Sequence, residues 1–145
     1  MPDRDIILAK IAIIQRCLKR IQDTTDGDPE TLEDIDREDI FVLNLQRAVQ
    51  AGIDLASHVI AAEGLGLPGT VKEHFELLEL SSVISKTTAA KMKAMTGFRN
   101  IAIHDYRKID KDILKSILKN NLSDLEQFYI ELLERFAILN DTEST

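Results

Sequence analysis

Residues 36–63 read DREDIFVLNLQRAVQAGIDLASHVIAAE, and this stretch decides the fold class. Its apolar residues recur every three or four positions and form one stripe: Val42, Leu45, Val49, Ile53, Ala56 and Ile60. Such spacing is typical of an amphipathic α-helix that buries one face. Asp36, with Asp39 three residues later, has the spacing of a capping box at the start of a helix. The stretch therefore predicts a long helix from about Asp36 to Glu63.

Two further helices lie on either side of this one. Apolar residues step by four and three from about Asp5 to Thr24 and predict a first helix there. Thr70 and Glu73 form a second capping-box pair, which opens a short helix that ends near Leu80. The glycine-rich segment 64–69 matches the pattern G-x-G-x-x-G, but it follows a helix rather than a strand. We interpret it as a helix stop and a turn, not as a dinucleotide site.

The second half of the chain also has helical spacing. Ser85 can cap a fourth helix, and Asp110 can cap a fifth that runs to Phe136. Asn120 and Asn121 hint at a break in the fifth helix, but the apolar phase passes through them unshifted and favours continuity. No segment alternates as a strand does. The sequence predicts an all-α fold, an antiparallel helical bundle of four long helices and one short helix.

The chain length of 145 residues predicts a single domain over residues 1–145. Residues 26–36 contain Gly27, Pro29 and several acids without a period, so they are expected to form an acidic loop. Residues 140–145 are expected to form a flexible C-terminal tail. The longest apolar runs are too short for a membrane span, and residues 1–5 do not resemble a secretory signal. We therefore expect a cytoplasmic protein without a membrane partner.

Charge is unevenly distributed along the chain. The formal net charge of -7 argues against a protein that coats nucleic acid without sequence preference. Residues 86–119, however, hold nine basic and three acidic side chains, a net charge of +6. An anionic ligand could be attracted to this segment, although a solvated helix face would look the same. The only cysteine, Cys17, is predicted to be a small core residue.

The positive segment contains the octet Arg99-Asn100-Ile101-Ala102-Ile103-His104-Asp105-Tyr106. An arginine can hold a phosphate through a bidentate fork, a histidine can move a proton near neutral pH, and a tyrosine offers a hydroxyl. Each of Arg99, His104 and Tyr106 alone has an ordinary structural explanation, such as a surface ion pair, a helix cap or a packed ring. The three together favour phosphodiester chemistry.

Helical geometry constrains this interpretation. Residues five apart on one helix point about 140° apart, so Arg99 and His104 cannot address one small group from a straight helix. Either the helix ends near Ile103 and the chain turns His104 back, or the two residues cooperate across a dimer interface. Asn100 and His104, four apart, share a face and could hydrogen-bond.

The remaining polar residues on predicted helices indicate no further chemistry. His58 and His74 each lack a second ligand at metal spacing, so we predict no metal site and no cofactor. Asn44 and Asp54 on the second helix are expected to be interface or supporting groups rather than catalytic ones. The chain also lacks a cysteine/histidine cluster, a phosphate-binding P-loop and a serine elbow.

The order from Arg99 to His104 is an arginine, a polar residue, three further residues and a histidine at a helix end. This pattern resembles the Rx4-6H signature of the HEPN superfamily. With Tyr106 included, the pattern is similar to HepT toxins of MntA/HepT toxin–antitoxin modules. The likeness also covers Leu43-Asn44-Leu45-Gln46-Arg47, then Asp54 and His58, and Leu65-Gly66-Leu67-Pro68.

The resemblance implies a type VII toxin: a metal-independent endoribonuclease that works as a homodimer and cleaves RNA by 2'-hydroxyl attack in a shared cleft. In that interpretation Arg99 and His104 are catalytic and Asn100 supports them. Tyr106 would receive AMP from a cognate MntA-like nucleotidyltransferase antitoxin, which blocks the site and can join the toxin in a larger hetero-oligomer.

Two other classes of function fit the same residues. A noncatalytic nucleotide-binding subunit could assist a partner nucleotidyltransferase, with Arg99 and His104 binding phosphate without breaking a bond. A helical dimerisation module without any site is the third possibility.

Overall fold

The computed structural model describes residues 2–138, with Tyr106 described by its backbone alone. Those residues form six α-helices and two short 3₁₀ helices, and no strand occurs among them. The α-helices are α1 (Arg4–Thr25), α2 (Ile35–Glu63), α3 (Val71–Leu80), α4 (Lys86–Asp105), α5 (Lys111–Asn120) and α6 (Leu122–Arg135). The 3₁₀ helices are Pro29–Glu33 and Tyr106–Lys108. The predicted all-α fold is confirmed.

Helices α1 and α2 run antiparallel along one side of the molecule. The backbone N–H of Asp3 donates to His58 Nε2 over 2.9 Å, and about two turns later Lys10 Nζ lies 3.1 Å from Asp54 Oδ2. From the first pair to the second, the α1 partner lies later in the sequence and the α2 partner lies earlier, so the two helices are antiparallel. This pairing tethers the start of α1 to the C-terminal half of α2.

The start of α2 differs from the predicted capping box at Asp36. The helix begins at Ile35, and its N-cap is Asp34, whose carboxylate accepts the Asp36 N–H over 3.0 Å. Asp34 has the extended backbone that an N-cap needs (φ -82°, ψ 120°), because the preceding 3₁₀ helix ends there. Several nearby acids can serve as caps, so the spacing did not identify the one used.

The predicted acidic loop is an ordered segment. Its 3₁₀ helix begins with Pro29, packs Leu32 fully into the core and lies against α5. Lys115 pairs with Glu33 over 2.7 Å and with Glu30 over 3.4 Å, which raises the pKa of Lys115 and lowers that of Glu33. Lys111 pairs with Glu33 and with Glu38 at the start of α2. Two lysines of the positive segment are thus neutralised by the acids of the loop.

The continuous fifth helix predicted from Asp110 to Phe136 is wrong, because the chain breaks at Asn121. There α5 ends and α6 begins, and Asn121 Nδ2 donates to Asp124 Oδ2 over 3.1 Å. A short amide side chain that bonds to a nearby acceptor favours such a helix boundary. The apolar phase continues through the break because α5 and α6 both pack on the same core. The tail at 140–145 lies outside the described residues.

The core is one contiguous cluster to which every α-helix contributes. Phe75 of α3 meets Phe128 of α6 edge to face, with ring centroids 5.6 Å apart. The small Gly52 lets α2 approach Met92 of α4 closely, since a Cβ there would lie 3.3 Å from the Met92 Cε. Among the described residues, no helix is both long enough and apolar enough to cross a membrane.

The glycine-rich segment after α2 is a helix stop, as predicted. Gly64 has the left-handed conformation (φ 63°), and the Leu65 N–H bonds back to the Ile60 carbonyl over 3.0 Å. Thr70 then caps α3 by accepting the Glu73 N–H, while the Glu73 carboxylate accepts the N–H of Gly69. No strand precedes this segment, so it is not a dinucleotide fingerprint.

Candidate active site

The N-terminal half of α4 is anchored to α6. The Ser85 hydroxyl accepts the Thr88 N–H over 3.1 Å, so Ser85 caps α4 as predicted. Glu131 of α6 accepts the Ser85 N–H over 2.7 Å and also the hydroxyl of Thr88. Burial raises the pKa of the Glu131 carboxyl, but the hydrogen bonds from Thr88, Ser85 and Gln127 outweigh it and lower this pKa below its ordinary value. A carboxylate with three donors holds the start of α4 in place.

One stripe of α4 runs from the core into the exposed end of the helix. Met92, Thr96, Arg99 and Ile103 are spaced by four, three and four residues, which places them on the same side of the helix. Met92 and Thr96 are fully buried, Arg99 is half-buried, and Ile103 is 54% exposed. The last two turns of α4 therefore extend beyond the helices that cover its first half.

The exposed turns carry the predicted functional residues. Within residues 99–105 only Ala102 is buried, whereas Asn100, His104 and Ile101 are exposed. The Arg99 Nη1 donates to the Asn100 Oδ1 over 3.1 Å. Asn100 thus steadies the guanidinium, while no described residue bonds to the His104 ring. The expected contact between Asn100 and His104 is not formed within this chain.

The helix does not end near Ile103. It continues through Asp105, so the possibility that the chain turns His104 back toward Arg99 is wrong. Within one chain the two side chains point about 140° apart. The Asp105 carboxylate then accepts the Arg107 N–H over 3.1 Å and initiates the 3₁₀ helix whose first residue is Tyr106. Tyr106 is therefore off the α4 helical path, two residues beyond His104.

An apolar groove of about 550 Å³ lies beside this end of the molecule, between α4 and α5. Phe98 and Ile101 form one wall, and Ile109 and Ile113 form the other. Lys108, on the 3₁₀ helix that Tyr106 begins, lies at its rim. The groove places aliphatic surface and Lys108 next to the segment that carries Tyr106.

The two histidines outside the octet have structural roles. His58 Nε2 accepts the Asp3 N–H, and His74 Nδ1 lies 2.8 Å from the carbonyl oxygen of Thr70, to which it must donate. Within the described residues no three His, Cys, Asp or Glu side chains are grouped to hold a metal ion. Cys17 is buried, as predicted, and burial raises the pKa of its thiol despite the nearby Arg47 and Arg16.

The other polar residues noted on α2 are engaged locally. Asn44 is 7% exposed and donates to the carbonyl of Ile40 in its own helix over 2.8 Å. Asp54 accepts from Gln50 over 2.9 Å in addition to its pair with Lys10. Neither lies among the exposed residues of the α4 end.

Comparison with known proteins gives the family. Residues 14–132 match the family described as ribonuclease HepT-like. The chain belongs to the HepT-like ribonuclease family. The predicted family and the predicted class, an enzyme that cleaves RNA, are thereby confirmed.

Two relatives of similar sequence agree with this assignment, and a more distant structure shares the fold. The chain is 40% identical over 124 residues to the mRNA nuclease HepT of Shewanella oneidensis, covering 86% of this chain and 93% of that protein. It also matches the tri-AMPylated Shewanella oneidensis HEPN toxin solved in complex with MNT antitoxin, at 39% identity and a TM-score of 0.84, covering 90% of this chain and 98% of that one. A third match, the cytosolic protein YutE of Bacillus subtilis, has a TM-score of 0.79 at 16% identity over 92% of this chain and 90% of that one, and it shows the fold alone.

Proposed function

We propose that this chain is the toxin of a toxin–antitoxin pair, an endoribonuclease whose catalytic residues are Arg99 and His104. The observation that carries the proposal is the exposed end of α4. There Arg99, Asn100 and His104 reach the surface, on turns that bury only Ala102 in the core. The relative named an mRNA nuclease supports RNA as the substrate.

The proposed reaction is an internal transfer at a phosphodiester bond. His104 removes the proton of a ribose 2'-hydroxyl, whose oxygen forms a new bond to the adjacent phosphorus. The bond from phosphorus to the 5'-oxygen breaks, and that oxygen takes a proton from an imidazolium. The products are a 2',3'-cyclic phosphate and a 5'-hydroxyl. Arg99 binds the phosphate oxygens and stabilises the charge that develops on them, and Asn100 holds the guanidinium in position.

This chemistry requires two copies of the chain. Arg99 and His104 diverge on one helix, but two α4 ends that pack together can bring Arg99 of one protomer to His104 of its partner. Ile101 and Ile103, each 54% exposed, supply apolar surface on the same turns for such a contact. An isologous dimer would then contain two equivalent composite sites.

Tyr106 is proposed as the residue through which an MntA-like nucleotidyltransferase antitoxin inhibits the enzyme. Its phenol oxygen would attack the α-phosphorus of ATP, pyrophosphate would leave, and the phenolic proton would be lost. The added phosphate and nucleoside would lie two residues from His104, where charge and bulk oppose RNA binding. A relative that is AMPylated and bound to an MNT antitoxin supports this assignment.

Mixing two inactive variants tests the composite site. Arg99→Ala and His104→Ala are each expected to be inactive alone. Random reassortment makes half of the dimers mixed, and each mixed dimer has one of its two sites intact, so activity should return to about a quarter of wild type. Cleavage that stays absent after subunit exchange, verified by differential tags, would show that the site does not span two chains.

The same assays separate the alternative functions. Cleavage that persists in EDTA and produces a cyclic phosphate terminus supports the proposed reaction. Saturable binding of ATP without any cleavage of RNA would instead identify a noncatalytic nucleotide-binding subunit. Intact-mass analysis after coexpression with the partner should show AMP on wild type and none on Tyr106→Phe, and AMP on another residue would refute the role of Tyr106.

A further inference from the structure

A second cationic site lies on the face formed by α1 and α2. Arg16 and Arg20 are four residues apart on α1 and share one side of it, and Arg47 projects from α2 beside them. Together with Cys17, Leu43 and Asn44, they line a surface groove of about 390 Å³, which we call the arginine groove. Packing of two helices brings the three guanidinium groups together.

The arginine groove is cationic, and no carboxylate of the described residues balances its positive charges. Several basic side chains elsewhere are paired: Lys10, Lys91, Lys93, Lys111 and Lys115 each contact a carboxylate. In the described part of the chain, none of the guanidinium groups of Arg16, Arg20 and Arg47 pairs with a carboxylate. Three clustered positive charges repel one another, and a bound anion relieves that repulsion.

The shape and lining of the groove indicate which anion it fits. Asn44 is 7% exposed and has one amide N–H bonded to the Ile40 carbonyl, so the second N–H is available to an acceptor. The floor is aliphatic, with Leu43 44% exposed, and no aromatic ring lines it. Such a groove has donors for phosphate oxygens but no ring on which a base could stack.

The groove is separate from the α4 end of the same chain. Gly52 contacts Met92 of α4, and Leu43 lies nine residues before Gly52, which is about 180° around α2. The arginine groove is thus on the far side of α2 from α4. A ligand that reaches both regions must be long.

We propose that the arginine groove binds backbone phosphates of the RNA substrate, away from the bond that is cleaved. The proposal rests on the proposed ribonuclease function. Arg16 and Arg20 are separated by about 6 Å along the axis of α1, which lets them contact successive phosphates of one strand. Contacts to phosphates alone position the RNA without reading its sequence.

The test measures RNA binding by the full chain with His104→Ala, which prevents cleavage, using the anisotropy of a labelled unstructured RNA. Replacing Arg16, Arg20 and Arg47 by glutamine should weaken binding at least about tenfold and reduce the slope of log affinity against log salt by about 2. A control that removes three exposed charges elsewhere, Arg37→Gln, Lys72→Gln and Lys119→Gln, should retain most of the affinity. Lysine at the three groove positions should restore the slope, because it keeps the charges.

Equal affinities and slopes for the groove variant and its charge-matched control would overturn the proposal. The proposal would also be overturned if the groove variant lost binding of ATP or of the nucleotidyltransferase while its RNA affinity stayed unchanged. The groove would then bind a free nucleotide or a protein. Cleavage of a dinucleotide, which spans only the α4 end, should be unaffected by the groove variant. A failure of the proposed ribonuclease function appears instead as no cleavage by the wild type, whatever the binding result.

Discussion

The two halves of α4 differ in what surrounds them although they share one helix. Residues 86–98 bury Thr88, Ala89, Met92, Met95, Thr96 and Phe98, whereas residues 99–105 bury only Ala102. Met92 and Ile103 are eleven residues apart, so they lie within about 20° of each other around the helix. Met92 is 0% exposed, whereas Ile103 is 54% exposed. The difference shows that stability and function are separated along α4, and substitutions in the two halves should therefore have opposite consequences.

The largest effect is expected on catalysis in the exposed half. Arg99→Ala or His104→Ala should lower the rate of RNA cleavage by about 10²–10⁴, the usual contribution of a general base or of a group that stabilises developing charge. The free energy of unfolding should change little, because His104 is exposed and Arg99 is no more than half-buried. Cleavage rates and urea denaturation of the same preparations measure both quantities. Unchanged cleavage would show that Arg99 and His104 in the exposed half of α4 have no catalytic role.

The buried half should show the reverse behaviour. Met92→Ala should reduce the free energy of unfolding by about 2–5 kcal/mol, because it leaves a cavity against Gly52 and α6. Activity per folded molecule should be retained. Ile103→Ala is the matched control on the same stripe, and in the separated protomer, where Ile103 is 54% exposed, it should change the free energy of unfolding by much less. Similar destabilisation by both substitutions would contradict the exposure of the α4 end.

A smaller effect is expected at the anchor of the buried half. Glu131→Gln should destabilise the protein by about 1–3 kcal/mol near neutral pH, because Ser85 N–H and the Thr88 hydroxyl lose a charged acceptor. Since the pKa of Glu131 is lowered in the folded state, its contribution is fully present above the ordinary value of 4.5 and is lost as the pH falls through the folded value. The difference between wild type and Glu131→Gln should therefore shrink in acid. Glu126→Gln, exposed on the same helix, is the control and should change the free energy of unfolding little at neutral pH.

The smallest effect is expected at Asn100. Asn100→Ala removes the acceptor that positions the Arg99 guanidinium, and it should slow cleavage by about 2- to 10-fold, the equivalent of one ordinary hydrogen bond. Asn120→Ala, at the end of α5, is a control that should leave cleavage unchanged. A loss as large as that of Arg99→Ala would mean that Asn100 contacts the RNA itself rather than acting through Arg99.

Local patterns predicted much of this molecule. Apolar spacing predicted α1, α2 and α4, Ser85 and Thr70 were identified as caps, and the glycine-rich stop at Gly64 was separated from a nucleotide fingerprint. Two boundaries were wrong for the same reason. At Asp34 and at Asn121 several residues could cap or break a helix, and the choice depended on which neighbouring element packed there.

The pairing of the charges, by contrast, was not predicted by local sequence patterns. The net charge of +6 over residues 86–119 indicated a segment that could attract an anion, but Lys111 and Lys115 lie against Glu30, Glu33 and Glu38 from far earlier in the chain. Arg16 and Arg20 were not singled out in the sequence, and Arg47 was noted only within the family likeness, because 27 residues separate Arg20 from Arg47. Arginines at helical spacing on two neighbouring helices are the only signal that could have indicated the groove, and it requires knowing how the helices pair.

By itself the sequence determined the helical class, most of the helices and the octet that contains Arg99, His104 and Tyr106, because helical period, caps and short motifs depend on residues close together in the chain. Only the tertiary structure decided that α4 continues through His104, that its last turns project from the bundle, that the acidic segment neutralises α5 and that three arginines converge. Those properties depend on which distant residues come into contact, and the free energy of such contacts is set by packing and charge between helices rather than by the order of residues within one.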